Sequence, residues 1–193
     1  MQMSYTAKLF KKLGAVPFST RQAADAGITR HYLAKACAEG ALERLGRGVY
    51  RLSGQDMSEE EVFRAACLRL GRPSCICLIS ALSYYGLTDL IARQCWVMVP
   101  AERRSVCADL RVVRSRNPRW KTGISEMDGF SISSLERSIV DALVMRSVVG
   151  TQVGIEALRR ALRKRATSLS RVMEMARKLG VQHRVLPYVE ALS

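Results

Sequence analysis

Between Ser19 and Leu52 the chain reads STRQAADAGITRHYLAKACAEGALERLGRGVYRL. Start and stop signals recur so often here that neither a long helix nor a long strand fits. Ser19 followed three residues later by Gln22 is a capping-box signature that starts a helix near Thr20. Gly27 supplies the left-handed backbone of a tight inter-helix turn. Thr29 is a fresh N-cap, and the next helix runs to about Glu39 and stops at Gly40. Leu42 to Leu52 then alternates as two strands around a Gly46-Arg47-Gly48 turn. Upstream, Ala7, Leu9, Phe10 and Leu13 predict the end of a short amphipathic helix that Gly14 terminates.

Helix, helix, turn, helix and basic hairpin form a winged helix-turn-helix. In the last helix Leu33, Ala36 and Cys37 fall at i, i+3 and i+4 as the inward stripe. Arg30, His31 and Lys35, with the small Ala34 and Ala38, face the other way, a basic surface able to approach a groove closely. The expected mechanism is entry of that helix into a major groove by its N-terminal half. Arg30 is placed for a bidentate bond to guanine, with His31, Tyr32 and Lys35 as weaker base or phosphate contacts. On the hairpin, Arg44, Arg47 and Arg51 are the candidates, Arg47 at the tip suiting a phosphate or minor-groove contact. Tyr50 is expected in the core between wing and helices.

Charge agrees with a polyanionic partner. Thirty-one Lys and Arg oppose 17 Asp and Glu, for a net charge of +14 in 193 residues. Residues 1–54 carry nine basic and three acidic side chains, and residues 151–193 the same, while the middle is nearly balanced. An anionic membrane is the weaker partner. The longest uncharged run, Pro73 to Thr88, is too short to span a bilayer, and the first residues lack the apolar stretch of a secretory signal. A cytoplasmic location follows as the expectation.

Residues 55–193 read as a mixed α/β domain ending in helices, which makes the whole chain α+β. Ser58 with Glu59, Glu60 and Glu61 starts a helix after a polar linker. SCICLISALSYYGL leads from a strand or turn into a helix that Gly86 ends. CWVMVP, LRVVRS and GFSISSL have strand character, and SLERSIVDALVM begins a helix at Ser134 with Ile139 and Leu143 inward. In the tail, Ile155, Leu158 and Leu162 form an apolar stripe beside Arg159, Arg160, Arg163, Lys164 and Arg165. A further helix starts at Thr167 or Ser168 and stops at Gly180. One basic run stands out, RVVRSRNPRWK at 111–121. Arg111, Arg114, Arg116, Arg119 and Lys121 surround Trp120, a pattern that fits either nucleic-acid contact or an exposed strand and hairpin tip.

Nothing marks an enzyme. His31 and His183 are far apart, and no phosphate-binding or dinucleotide motif occurs. Glu102, Asp109 and Lys121 form an acid–acid–Lys set of undistinctive spacing, better read as surface charge. The six cysteines sit mostly in apolar runs without a CxxC, so neither a metal site nor a disulfide framework is expected. No cofactor is expected either.

The chain resembles the AbiEi family of type IV toxin–antitoxin antitoxins. The resemblance is carried by FSTRQAADAGITRHYLAKACAEGALERLGRGVYRL, by ALSYYGL at 81–87, by WVMVP at 96–100 and by DGFSISSLERSIVDAL at 128–143. The Gly46–Arg51 wing and the Ser134–Leu143 helix start are its more specific parts. The resemblance implies a DNA-binding domain that represses the operon by binding promoter repeats, as a monomer or dimer. It also implies a second domain that counters a nucleotidyltransferase-like toxin encoded alongside, functionally and without a requirement for direct contact. Thr29, Arg30, His31, Lys35, Arg44, Arg47 and Arg51 carry over as DNA-contact candidates. The alternative is a winged-helix transcription regulator whose second domain senses a ligand or dimerises.

Overall fold

A computed structural model describes residues 13–54, 56–105 and 107–192. The chain divides into two compact units, with the division between Arg72 and Pro73. All but Leu13 of the helix expected before Gly14 lies outside the described residues.

The first unit is a helix-turn-helix with a small sheet. Strand β1 (Phe18–Ser19) leads into α1 (Thr20–Asp25), and α2 (Arg30–Ala38) follows the turn. Strands β2 (Leu42–Gly46) and β3 (Val49–Leu52) form the wing, and the sheet order is β1-β3-β2, all antiparallel. The capping box at Ser19 is complete: its hydroxyl accepts the Gln22 N–H at 3.2 Å, and its own N–H donates to Gln22 Oε1 at 2.8 Å. Gly27 takes a φ of +80°, so the chain reverses between the helices where a β-carbon would be strained. Phe18, Ala23, Ile28, Leu33, Ala36 and Leu42 make one buried cluster, and Tyr50 packs against it with its ring stacked on Phe18.

Helix α3 (Glu59–Leu70) belongs to this unit, although the sequence pattern places the boundary at residue 54. It opens on a second full capping box, at Ser58 and Glu61, and buries Phe63, Ala66 and Leu70. It packs on β1 and β3, and Arg64 donates to the Pro17 carbonyl at 2.9 Å. The polar run before it is a connection inside the unit. It is not a linker between domains.

The second unit is a five-stranded mixed sheet with helices. It comprises β4 (Cys75–Ile76), α4 (Leu78–Tyr84), β5 (Cys95–Pro100), β6 (Leu110–Ser115), β7 (Ile124–Glu126) and β8 (Ser131–Ser133). Then come α5 (Leu135–Val144), α6 (Arg146–Val149), α7 (Thr151–Arg163), α8 (Leu169–Lys178) and α9 (Gln182–Glu190). The strand order is β6-β5-β4-β8-β7, with β4–β8 and β5–β6 parallel. Helix α5 is the hub, packing against α4, α7, α8 and α9, and its residues Arg137 to Leu143 are all buried. Gly154 lets α7 lie against it: an added β-carbon would stand 2.9 Å from the Leu143 backbone nitrogen. The motif SLERSIVDAL thus has a structural reading. Ser134 caps the helix, Ser138 bonds back to the Ser133 and Ser134 carbonyls, and Ile139 and Leu143 enter the main core.

Candidate nucleic-acid interface

Helix α2 is short and mildly amphipathic, and its exposed side is chemically consistent. Thr29 Oγ1 accepts the Tyr32 N–H at 3.2 Å, fixing where the first turn begins. Leu33 and Ala36 then point inward with Cys37 beside them, so Arg30, His31, Ala34, Lys35 and Ala38 emerge on the opposite side. Their spacing of one, three, one and three residues keeps them on a single helical stripe. Two alanines in that stripe lower its profile, and three basic side chains flank them. Lys35 lies 3.7 Å from Glu39, an exposed i,i+4 pair that solvent and salt weaken readily.

The wing is fastened to the same end of the motif. Thr20 donates its backbone N–H to the Gly48 carbonyl at 2.8 Å, and its hydroxyl reaches the same oxygen at 3.2 Å. Gly48 has a φ of +72° and approaches Thr20 closely, so the turn demands glycine there. Arg47 is exposed in that turn. Arg44 is exposed as well, and its Nε donates to the Gly46 carbonyl at 3.2 Å across the bulge between β2 and β3.

Three of the expected contacts are committed elsewhere. Thr29 is the helix cap. Tyr32 is half-buried and packs against the core of the unit. Arg51 sits directly opposite Glu43 in the hairpin register, with its Nε and Nη2 at 2.7 and 2.6 Å from Glu43 Oε2. Only 16% of the Arg51 side chain is exposed. Arg21, inside the capping-box segment, is also exposed on α1.

The run at 111–121 divides in a different way. Trp120 is 9% exposed and packs with Cys75, Cys77, Leu78, Met98 and Val113, so it is core and offers no stacking face to a base. Arg111 lies over the Trp96 ring at 5.5 Å. Arg114 holds the loop before β6 by donating to the Arg103 and Ser105 carbonyls at 2.9 and 3.2 Å. Arg119 donates to the Lys178 carbonyl. Arg116 and Lys121 are exposed.

The second unit also hides an ion pair. Arg137, 2% exposed, donates from Nε to Asp141 Oδ2 at 2.7 Å and from Nη1 to the Trp120 and Thr122 carbonyls. Burial raises the Asp141 carboxyl above the usual carboxylate range, with Arg137 opposing the rise. Burial likewise pushes the Cys77 thiol up, and the neighbouring Cys75, Asp141 and Cys95 add to it. A raised thiol is a poor nucleophile. Among the described residues no helix is long and apolar enough to cross a membrane.

Residues 8–53 match the family model described as "Transcriptional regulator, AbiEi antitoxin", a span that lies wholly in the first unit. A search of curated proteins found no match.

Proposed function

We propose, from a first unit that matches an antitoxin regulator family, that this protein binds operator DNA and serves as the antitoxin of a type IV system. Helix α2 enters the major groove, with Arg30 on a base edge and His31 and Lys35 on bases or phosphates. Arg47 at the wing tip and Arg44 behind it hold the flanking phosphates, and Arg21 does the same from the helix that crosses the backbone. The observation that carries this reading is the exposed stripe of α2, basic residues around two alanines, beside an arginine-tipped wing. By this account the protein represses its own operon. Its second unit counters a nucleotidyltransferase-like toxin encoded next to it.

A plain regulator with a ligand-sensing second unit is the other reading, favoured by an arginine-lined cleft in that unit. One experiment separates the two. A host expressing the neighbouring gene is grown with no antitoxin, with this chain, or with the Arg30→Ala/Arg47→Ala variant, while a promoter reporter is read in parallel. The expected result is arrest without the chain and growth with either version, with repression lost only in the variant. A neighbour harmless by itself would overturn the antitoxin reading in favour of the plain regulator. Repression undiminished in the variant would overturn the DNA-contact assignment.

A further inference from the structure

A cleft of about 290 Å³ opens in the second unit, a volume near the small end of the roughly 300–1,000 Å³ typical of small-molecule sites. Its floor is the buried pair Arg137 and Asp141. Met98, Val144, Met145, Leu179 and Val181 make apolar walls, and Arg114, Ser115, Arg116, Asn117 and Arg184 complete the lining. Four arginines therefore face one aspartate, an excess of three positive charges around a largely apolar slot.

The hydrogen bonds within the site are incomplete in a specific way. Asp141 is 8% exposed and accepts from Arg137 through Oδ2. A carboxylate has room for about four bonds, so the floor can accept from an N–H donor. Arg137 Nη2 has only the Met98 sulfur at 3.7 Å, a weak acceptor. Arg184 is steadied by donating to the Val144 carbonyl at 2.6 Å, and Arg114 by its two loop carbonyls. Arg116 is exposed.

We infer that this cleft binds a nucleoside monophosphate. The ligand must carry an anion for Arg114, Arg116 and Arg184, whose planar forks match phosphate oxygens. Its body must be flat and apolar enough to lie among two methionines and three aliphatic side chains, and methionine sulfur packs well against aromatic rings. Its far end must offer N–H donors to Asp141, as the exocyclic amine of a base does to a carboxylate. Inorganic phosphate meets only the first condition, and a fatty anion lacks the donor. The cleft also gives a role to Arg114 and Arg116 of the basic run, and to the Arg137–Asp141 pair that the DNA-binding reading leaves unused. The inference stands whether the protein is an antitoxin or a plain regulator.

The test is calorimetric titration of the full chain with each of the four common nucleoside monophosphates, the matching nucleosides and inorganic phosphate. At least one monophosphate is expected to saturate a single site per chain, at least tenfold more tightly than its nucleoside or phosphate. Arg116→Ala, an exposed change, is expected to weaken that binding at least tenfold. Arg163→Ala, which removes an equal charge outside the cleft, is expected to leave it unchanged. Three results would overturn the inference: no monophosphate saturating at millimolar concentration, phosphate binding as tightly as the nucleotides, or equal losses in the two variants.

Discussion

At the scale of single residues, the buried Arg137–Asp141 pair decides most. Removing one member strands the other in the interior, and breaking such pairs costs about 3–5 kcal/mol. Arg137→Met is therefore expected to lower unfolding free energy by about that amount in urea titrations of the full chain. The loss has a pH signature. Burial pushes the Asp141 carboxyl up and Arg137 opposes that rise, so losing Arg137 shifts the fold toward the protonated form. Without Arg137, stability should be greatest below the ordinary carboxylate range and should fall as pH rises through the raised value. A loss independent of pH would contradict this. Thr29 and Arg51, both expected at the DNA, have partners within the unit: the Tyr32 N–H for Thr29 and the Glu43 carboxylate for Arg51. Thr29→Ala is expected to cost about 1 kcal/mol through the lost cap, measurable in thermal unfolding without DNA. The pairing of Arg51 with Glu43 becomes visible only once the hairpin register is set.

At the scale of elements, α2 and the wing divide the labour of binding. Arg30→Ala should weaken binding to the preferred sequence by about 1–3 kcal/mol and relax selectivity at one base pair, as the loss of a bidentate base contact does. Arg47→Ala should weaken binding to all duplexes alike and reduce the salt slope by about 1, because phosphate contacts carry no sequence information. Competition titrations across salt concentrations would separate the two effects. In the second unit the close approach of α7 to α5 depends on Gly154. Gly154→Ala gains helix propensity yet forces a contact with backbone, and overpacking of this kind costs about 1–3 kcal/mol. A variant more stable than the native chain would show that the two helices separate freely.

At the scale of the whole molecule, local chemistry was legible and long-range pairing was not. Caps at Ser19, Thr29, Ser58 and Ser134 are encoded within four residues, and all four start helices at the expected positions. The helix-turn-helix, the wing and the α+β class follow from them. The unit boundary was missed because the linker-like run at 53–58 has loop composition, whereas what attaches α3 to the first unit is the remote Pro17 carbonyl and the surface of β1 and β3. Trp120 looked exposed because basic residues surround it in sequence, but the fold packs it among Cys75, Cys77, Leu78, Met98 and Val113. Helix α9 carries Pro187 inside it, a residue that argues against a helix, and Val185 and Val189 hold it down by packing into the core. The cleft was invisible for the same reason as the boundary. Its lining comes from β5, the end of β6, α5, the turn after α8, and α9.

The most direct test of the central claim is fluorescence anisotropy of the full chain on duplex DNA from upstream of its own gene, against a shuffled duplex of equal length, at physiological salt. The account expects the native chain to prefer the upstream duplex by at least a hundredfold. It expects Arg30→Ala to lose much of that preference while keeping its affinity for the shuffled duplex. Equal affinity of the native chain for both duplexes, or a preference untouched by Arg30→Ala, would contradict it.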